Sequence, residues 1–333
     1  MEKTDNSVKL DLDEVMPLAK AALERAGCNE ENAEAVARCI FEAERHGAHS
    51  HGLFRMPGYL ASLNSGKVNG NASPKINRSK AALLEVDGDG GYAPLAHHQL
   101  AKPLADMARE SGVAVAALTN TFHFAALWQE VELLAREGVA ALACVSFKPA
   151  LPPAGGTKPL YGTNPVAFAW PRENAEPMVF DQASSYMARG EVMIAAREGH
   201  TLPDGVGIGP DGAPTNDPNE VLKGAMLPFG GYKGASIALM VELLAGALIG
   251  EQMSYQAAQN DNNDGGPPRG GEFILAISPA NAAAMSTAEG LFEQISAQEG
   301  ARLPGDGRRS KCAKVANEGV TIPLELYEKI SAE

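Results

Sequence analysis

Cysteine is scarce and forms no motif. Cys28, Cys39, Cys144 and Cys312 stand far apart, with no C-x-x-C pair among them. That excludes a disulfide framework or a cysteine zinc site and fits reduced thiols. Positive charge is also in deficit: 28 Lys and Arg face 41 Asp and Glu, a formal net charge of −13. Such a balance argues against a nucleic-acid partner or an anionic membrane surface. No apolar run approaches the ~20 residues that a membrane-spanning helix needs. The opening Met-Glu-Lys-Thr-Asp-Asn lacks the apolar core of a signal peptide, so a cytoplasmic protein is expected. No internal repeat is found. Gly207-Ile-Gly-Pro-Asp-Gly212 matches G-x-G-x-x-G by letter, but it follows no strand, contains Pro210 and precedes no helix. It therefore reads as a turn-rich loop, and any dinucleotide is bound without the usual Rossmann device.

What is present is the composition of a globular protein of 333 residues, 45% apolar and 21% charged, long enough for two domains. Apolar periodicity predicts helices over 11–27, 30–45, 56–65 and 94–111, with Asn29 as an N-cap. From residue 113 the texture changes to short apolar runs of strand length: 113–119, 139–145, 165–170, 178–181 and 272–278, after two earlier ones at 75–79 and 81–87. Helices return over 126–137, 185–198, 235–250, 280–297 and 323–331. Residues 259–271 have the composition of a mobile surface loop. The expected fold is mixed α/β (α+β), with a sheet-bearing domain at 113–284 inserted between helical ends, 1–112 and 285–333.

One stretch concentrates chemistry. Glu44-Arg-His-Gly-Ala-His-Ser-His-Gly-Leu-Phe-Arg55 packs three histidines, a hydroxyl and two arginines into a helix–helix junction. There His51 can move a proton and Arg55 can hold a carboxylate; a polar turn whose imidazoles cap backbone explains the same residues. Ser50 and His51 are neighbours, and on a helix such side chains point apart. These histidines, taken with His97-His98, have no H-E-x-x-H spacing and no cysteine or tight carboxylate cluster nearby, so no metal is expected. Pro228-Phe-Gly-Gly-Tyr-Lys-Gly234 leads into an apolar helix and suits an anion at a helix N-terminus. Arg302, Arg308, Arg309 and Lys311 crowd a turn-rich stretch where they can meet phosphates, or form a solvated basic loop. His123 and Gly162-Thr-Asn-Pro165 stand at strand ends.

Taken together, Ser50-His51-Gly52 with Arg55, His123 to Leu127, Gly162-Thr-Asn-Pro165, Pro228 to Gly234 and Arg302-Leu-Pro-Gly-Asp306 resemble the malate/L-lactate dehydrogenase-like family of NAD(P)-dependent oxidoreductases, which lacks the Rossmann fold. The similarity spans about residues 10 to 325. His123-Phe-Ala-Ala-Leu-Trp128 and Glu191-Val-Met-Ile-Ala-Ala-Arg-Glu-Gly199 resemble its branch of Δ1-piperideine-2-carboxylate/Δ1-pyrroline-2-carboxylate reductases. The resemblance implies a mostly antiparallel sheet domain inserted in a helical one, a homodimer, and reduction of a cyclic imino acid to L-proline or L-pipecolate.

It further implies that His51 is the proton donor, with Ser50 and Glu191 as its relay, and that Arg55 and Thr163 bind substrate. Cofactor contacts are implied at His123, Phe124, Ala125, Ala126 and Leu127, at Asp181, Gln182 and Ala183, and at Tyr232 and Lys233. A last group runs through Arg302, Leu303, Pro304, Gly305, Asp306, Gly307 and Arg308. Lys148, in a loop without an acid, favours NADPH over NADH. Two departures stand out: Glu191 replaces an expected Asp, and Phe122 a polar residue. A 2-hydroxy acid dehydrogenase, or a nucleotide-binding protein without activity, are the other readings.

Overall fold

Residues 2–3, 6–123 and 125–332 are described by the computed structural model. A seven-stranded sheet forms its centre: β1 (Lys75–Lys80), β2 (Leu83–Asp87), β3 (Val113–Phe122), β4 (Ala140–Val145), β5 (Val166–Trp170), β6 (Met178–Gln182) and β7 (Arg269–Ile277). Their order is β1-β2-β3-β7-β4-β5-β6. Only β2 and β3 pair in parallel; the other neighbours are antiparallel. The mostly antiparallel mixed fold expected from sequence is thus present.

The helices that matter below are α1 (Leu12–Arg25), α2 (Glu30–Arg45), α3 (Met56–Asn64), α4 (Ala93–Ser111), α5 (Trp128–Arg136), α6 (Arg189–Glu198), α7 (Tyr232–Glu242), α8 (Asp306–Glu318) and α9 (Leu324–Ala332). β3 and β4 read as continuous apolar runs because both faces of the sheet are covered. α4 and α5 pack on one face through Leu100, Leu104, Val131 and Leu134. α7 and its π-helical continuation Leu243–Leu248 pack on the other, through Val241 and Ala245. A second core joins α1, α2 and α3 to α9 and to the strand pair Ser7–Leu10 and Val320–Pro323, so the two ends of the chain meet.

Three features differ from the sequence reading. β1 and β2 belong to the sheet although they precede residue 113. The basic stretch after Gly305 is helical, not a loop: Gly305, at φ +93°, is the N-cap of α8, and Gly307 fits because a Cβ there would lie 2.8 Å from an Arg302 guanidinium nitrogen. Nor is the segment after Asn260 a free loop. Lys67 Nζ bonds Asp261 and Asp264 at 3.1 and 2.6 Å, and Lys148 pairs with Asp261. Among the described residues, no helix is long and apolar enough to cross a membrane.

Candidate active site

The junction after α2 is shaped by one buried carboxylate. Glu44, 1% exposed, closes the last turn of α2. Its Oε1 accepts the Leu53 N–H at 2.8 Å, and its Oε2 faces His49 Nδ1 at 2.5 Å. Gly52 lies so close that a Cβ there would meet Glu44 Oε1 at 2.0 Å. Around this anchor the chain makes two 3₁₀ turns, His49–His51 and Leu53–Arg55, before α3 begins. The tight turns do what a regular helix would not: Ser50 Oγ and the neighbouring His51 Nδ1 come within 3.1 Å.

Ser50, His51 and Arg55 face a cleft of about 1020 Å³ between this junction, the ends of β3 and β6, and α6 and α8. Its wall carries six cationic side chains (Arg55, Lys148, Arg189, Arg302, Arg308 and Lys311) against two carboxylates, Asp181 and Glu191. In a chain of net charge −13, that is a local inversion of sign. The Arg308 guanidinium lies 3.6 Å over the Trp128 ring, and Trp128 meets His46 edge-on at 4.8 Å.

Most of the residues singled out from sequence line this cleft: Ser50, His51, Arg55, His123, Ala125, Ala126, Leu127, Lys148, Thr163, Asp181, Ala183, Glu191, Arg302, Leu303, Pro304, Gly305, Gly307 and Arg308. Four do not. Tyr232, 67% exposed, and Lys233 start α7 on the far side of the sheet. Gln182 ends β6 facing away, and the Asp306 carboxylate turns back to its own chain, accepting the Leu303 N–H at 3.2 Å. Phe124 lies outside the described residues. Lys148 reaches the cleft wall, but its ammonium is engaged by Asp261. No hydrogen bond joins Glu191 to Ser50 or His51 among the described residues. Instead Gly190 packs on them: a Cβ there would lie 2.9 Å from Ser50 Cβ and 3.1 Å from an Arg55 nitrogen. The sequence reading passed over Gly190 and Arg189, and named Trp128 only as the end of a branch motif, without a role in the site. Arg189, a cation two residues before Glu191, was the one available signal.

His51 does not keep its ordinary pKa: burial, then Arg55 and His123, push it down to about 3, so its imidazole is neutral at neutral pH. Burial opposes the charge on His123 too, but Glu130, Glu272 and Asp181 outweigh it and raise the pKa to about 9. Burial lowers Arg55 to about 10 and also lowers Arg189. The Asp181 carboxyl accepts the Trp128 N–H at 3.1 Å, yet desolvation and then Glu130 push it up to about 6. Cations enclosed this way favour an anionic ligand laid between them.

Residues 10–331 match a family described as malate/L-lactate dehydrogenase. The chain is 43% identical over 334 residues to a Δ(1)-pyrroline-2-carboxylate reductase of Ancylobacter novellus, which covers 98% of each chain. It is 39% identical over 325 residues to a (2R)-3-sulfolactate dehydrogenase (NADP(+)) of Chromohalobacter salexigens, covering 97% of each. In structure it is similar to the crystal structure of Δ1-piperideine-2-carboxylate reductase from Pseudomonas syringae pvar. tomato, with a TM-score of 0.89, 39% identity and coverage of 98% and 99%.

Proposed function

The chain belongs to the malate/L-lactate dehydrogenase family, and we propose that within it this protein reduces Δ1-pyrroline-2-carboxylate and Δ1-piperideine-2-carboxylate to L-proline and L-pipecolate with a nicotinamide cofactor. The observation that carries this reading is the inverted charge of the cleft, with the enclosed Arg55 beside an imidazole and a hydroxyl. The substrate is a small ring with one carboxylate and a nitrogen that needs a proton. Arg55, aided by Thr163, grips the carboxylate in a planar fork. That fixes which carbon faces the cofactor. His51 holds a proton at the ring nitrogen. When the Ser50 hydroxyl donates to Nδ1, the neutral imidazole carries its proton on Nε2, where it is a donor. With its nitrogen protonated or hydrogen-bonded, the imine accepts hydride at the neighbouring carbon more readily.

The residues fit a dinucleotide. Backbone N–H groups at Gly305 and Gly307, with Arg302 and Arg308, offer donors and positive charge to phosphates, while Leu303, Pro304, His123, Ala125, Ala126, Leu127, Asp181 and Ala183 line the rest. The bound cofactor supplies the hydride, as such groups do. We favour NADPH. Lys148 is taken by Asp261, so this preference rests on Arg302, Arg308 and Lys311, and on the relative named for NADP(+). A homodimer is also part of the proposal: α7 and its continuation expose Tyr232, Leu239, Leu243 and Leu248 in one chain, an apolar surface that an oligomer covers. Light scattering measures the assembly.

The deciding experiment incubates the protein with NADPH or NADH and either Δ1-piperideine-2-carboxylate, Δ1-pyrroline-2-carboxylate or pyruvate, following nicotinamide absorbance. Fast loss with the two imines and NADPH is expected. Loss only with the keto acid favours a 2-hydroxy acid dehydrogenase, and no loss at all removes the enzymatic reading.

A further inference from the structure

Behind the cleft lies a buried cluster that the proposed chemistry leaves unused. His97 on α4, Glu130 on α5 and Glu272 on β7 are 4%, 4% and 0% exposed. One donor atom from each lies within 4.8 Å of the others. His97 Nε2 is 2.6 Å from Glu272 Oε2, and His97 Nδ1 is 3.5 Å from Glu130 Oε1. His123, just past the end of β3, stands beside the cluster, with Nε2 2.8 Å from Glu130 Oε1, and is not one of the three residues whose donor atoms converge.

Two carboxylates in the interior need two compensating positive charges, from protons on the imidazoles or from one divalent cation. The contacts favour the cation. His123 Nε2 and Glu130 Oε1 are adjacent without the alignment of a hydrogen bond, and Glu130 Oε2 and Glu272 Oε1 have no hydrogen-bond partner among the described residues. His97 Nε2 and Glu272 Oε2 do share a hydrogen bond at 2.6 Å, so it is the two carboxylate oxygens left without a partner that call for the ion. At metal–ligand distances of ~2.0–2.2 Å, tetrahedral ligands lie about 3.3 Å apart, inside the spread found here. Leaving such buried acceptors unmade is costly, and an ion is one standard resolution.

We propose that His97, Glu130 and Glu272 form a divalent transition-metal site, with zinc the best match. An imidazole with two carboxylates is a zinc-type donor set, with water in the fourth position, whereas magnesium and calcium select oxygen alone. The site ties α4, α5 and β7 together, and His123, 2.8 Å from Glu130, stands between it and the cleft. Because His123 also lines the cleft, the ion has a way in. The three ligands come from three separate elements, so no spacing in the sequence could announce them.

The test uses the untagged full-length protein, grown with added zinc and purified without chelator. Elemental analysis should find one zinc per chain after gel filtration. Stripped wild type should melt at a higher temperature on adding zinc, and with cobalt(II) should show the intense visible bands of a tetrahedral site. Glu272→Gln should weaken cobalt binding at least ~10-fold, as loss of even a supporting group does. His200→Gln, at an exposed histidine outside the cluster, should bind like wild type. A wild type with no bound metal and no cobalt bands overturns the proposal, whether or not Glu272→Gln folds. So do bands that persist unchanged in Glu272→Gln. The readout is metal, not turnover, so it stands apart from the catalytic reading.

Discussion

His51 sits where a proton is needed and where a positive charge is disfavoured. Its pKa is held near 3 by burial first and by Arg55 second. A ligand carboxylate against Arg55 offsets that second cause, so ligand binding should raise the His51 pKa. NMR of labelled histidine, with and without a non-reducible planar ring carboxylate, measures it; an unmoved His51 resonance would separate it from the anion site. The same shift has a stability consequence. The folded pKa lies below the unfolded value of ~6.5, so the unfolded chain takes up the proton first. Stability from neutral His51 is intact above about pH 6.5 and drains away as pH falls toward 3, at up to ~1.4 kcal/mol per pH unit. His51→Gln should flatten that acid limb in urea titrations. In turnover, His51→Ala should lose ~10²–10⁴ in kcat while cofactor affinity holds; an unaltered kcat takes His51 out of the chemistry. Arg55→Met removes a charge-assisted contact worth roughly 1.5–3 kcal/mol, so KM for the imino acid should rise about 10–150-fold. An unchanged KM moves the carboxylate elsewhere.

At the scale of elements, the site is made by two approaches: the two 3₁₀ turns around Glu44, and α6 closing on them through Gly190. Gly190→Ala should force Ser50 and Arg55 apart, since a Cβ would sit 2.9 and 3.1 Å from them. Misplacement on the ångström scale costs up to ~10²-fold in rate. Loss of kcat/KM with a far-ultraviolet spectrum like wild type is the expected result; full activity would mean that the approach of α6 is not required. These elements also show what a sequence can and cannot reveal. α2 was legible from its apolar stripe and its Asn29 cap, which accepts the Asn32 N–H as expected. Strands β3 and β4 were legible as apolar runs, because a strand covered on both faces has no alternation to hide it. α8 was not legible: Gly-Asp-Gly reads as a turn, and the Arg302 guanidinium that lies beside Gly307 comes from the preceding loop. The Ser50–His51 contact was not legible either, because consecutive residues meet only in a backbone that is not a regular helix. Glu191, chosen by resemblance, reaches the cleft wall without bonding to the pair it was expected to serve. Lys148 looked free in sequence because its partner Asp261 comes from a loop more than a hundred residues later.

The whole molecule sets a contest between two fields. With net charge −13, it repels an anionic cofactor and an anionic substrate at long range, while the cations of the cleft wall other than Lys148, which Asp261 engages, attract them at short range. Salt weakens both, but not equally. At ~0.15 M the Debye length is about 8 Å, so the repulsion of the distant surface is largely screened while contacts inside the cleft persist. Adding salt from very dilute buffer should therefore first raise the rate of cofactor capture, as the outer field collapses. Further salt, toward ~1 M and a Debye length of ~3 Å, should weaken binding as the cleft charges are screened in turn. The expected profile of kcat/KM against ionic strength is a maximum, with kcat itself nearly flat because the chemical step is enclosed. Arg308→Gln should lower the whole curve and flatten its high-salt limb, because one of the screened attractions is gone. Steady-state kinetics across salt concentrations check this. A monotonic fall from the lowest salt would mean that the cleft cations dominate at every distance, and a curve unchanged in Arg308→Gln would remove that guanidinium from the capture of anions.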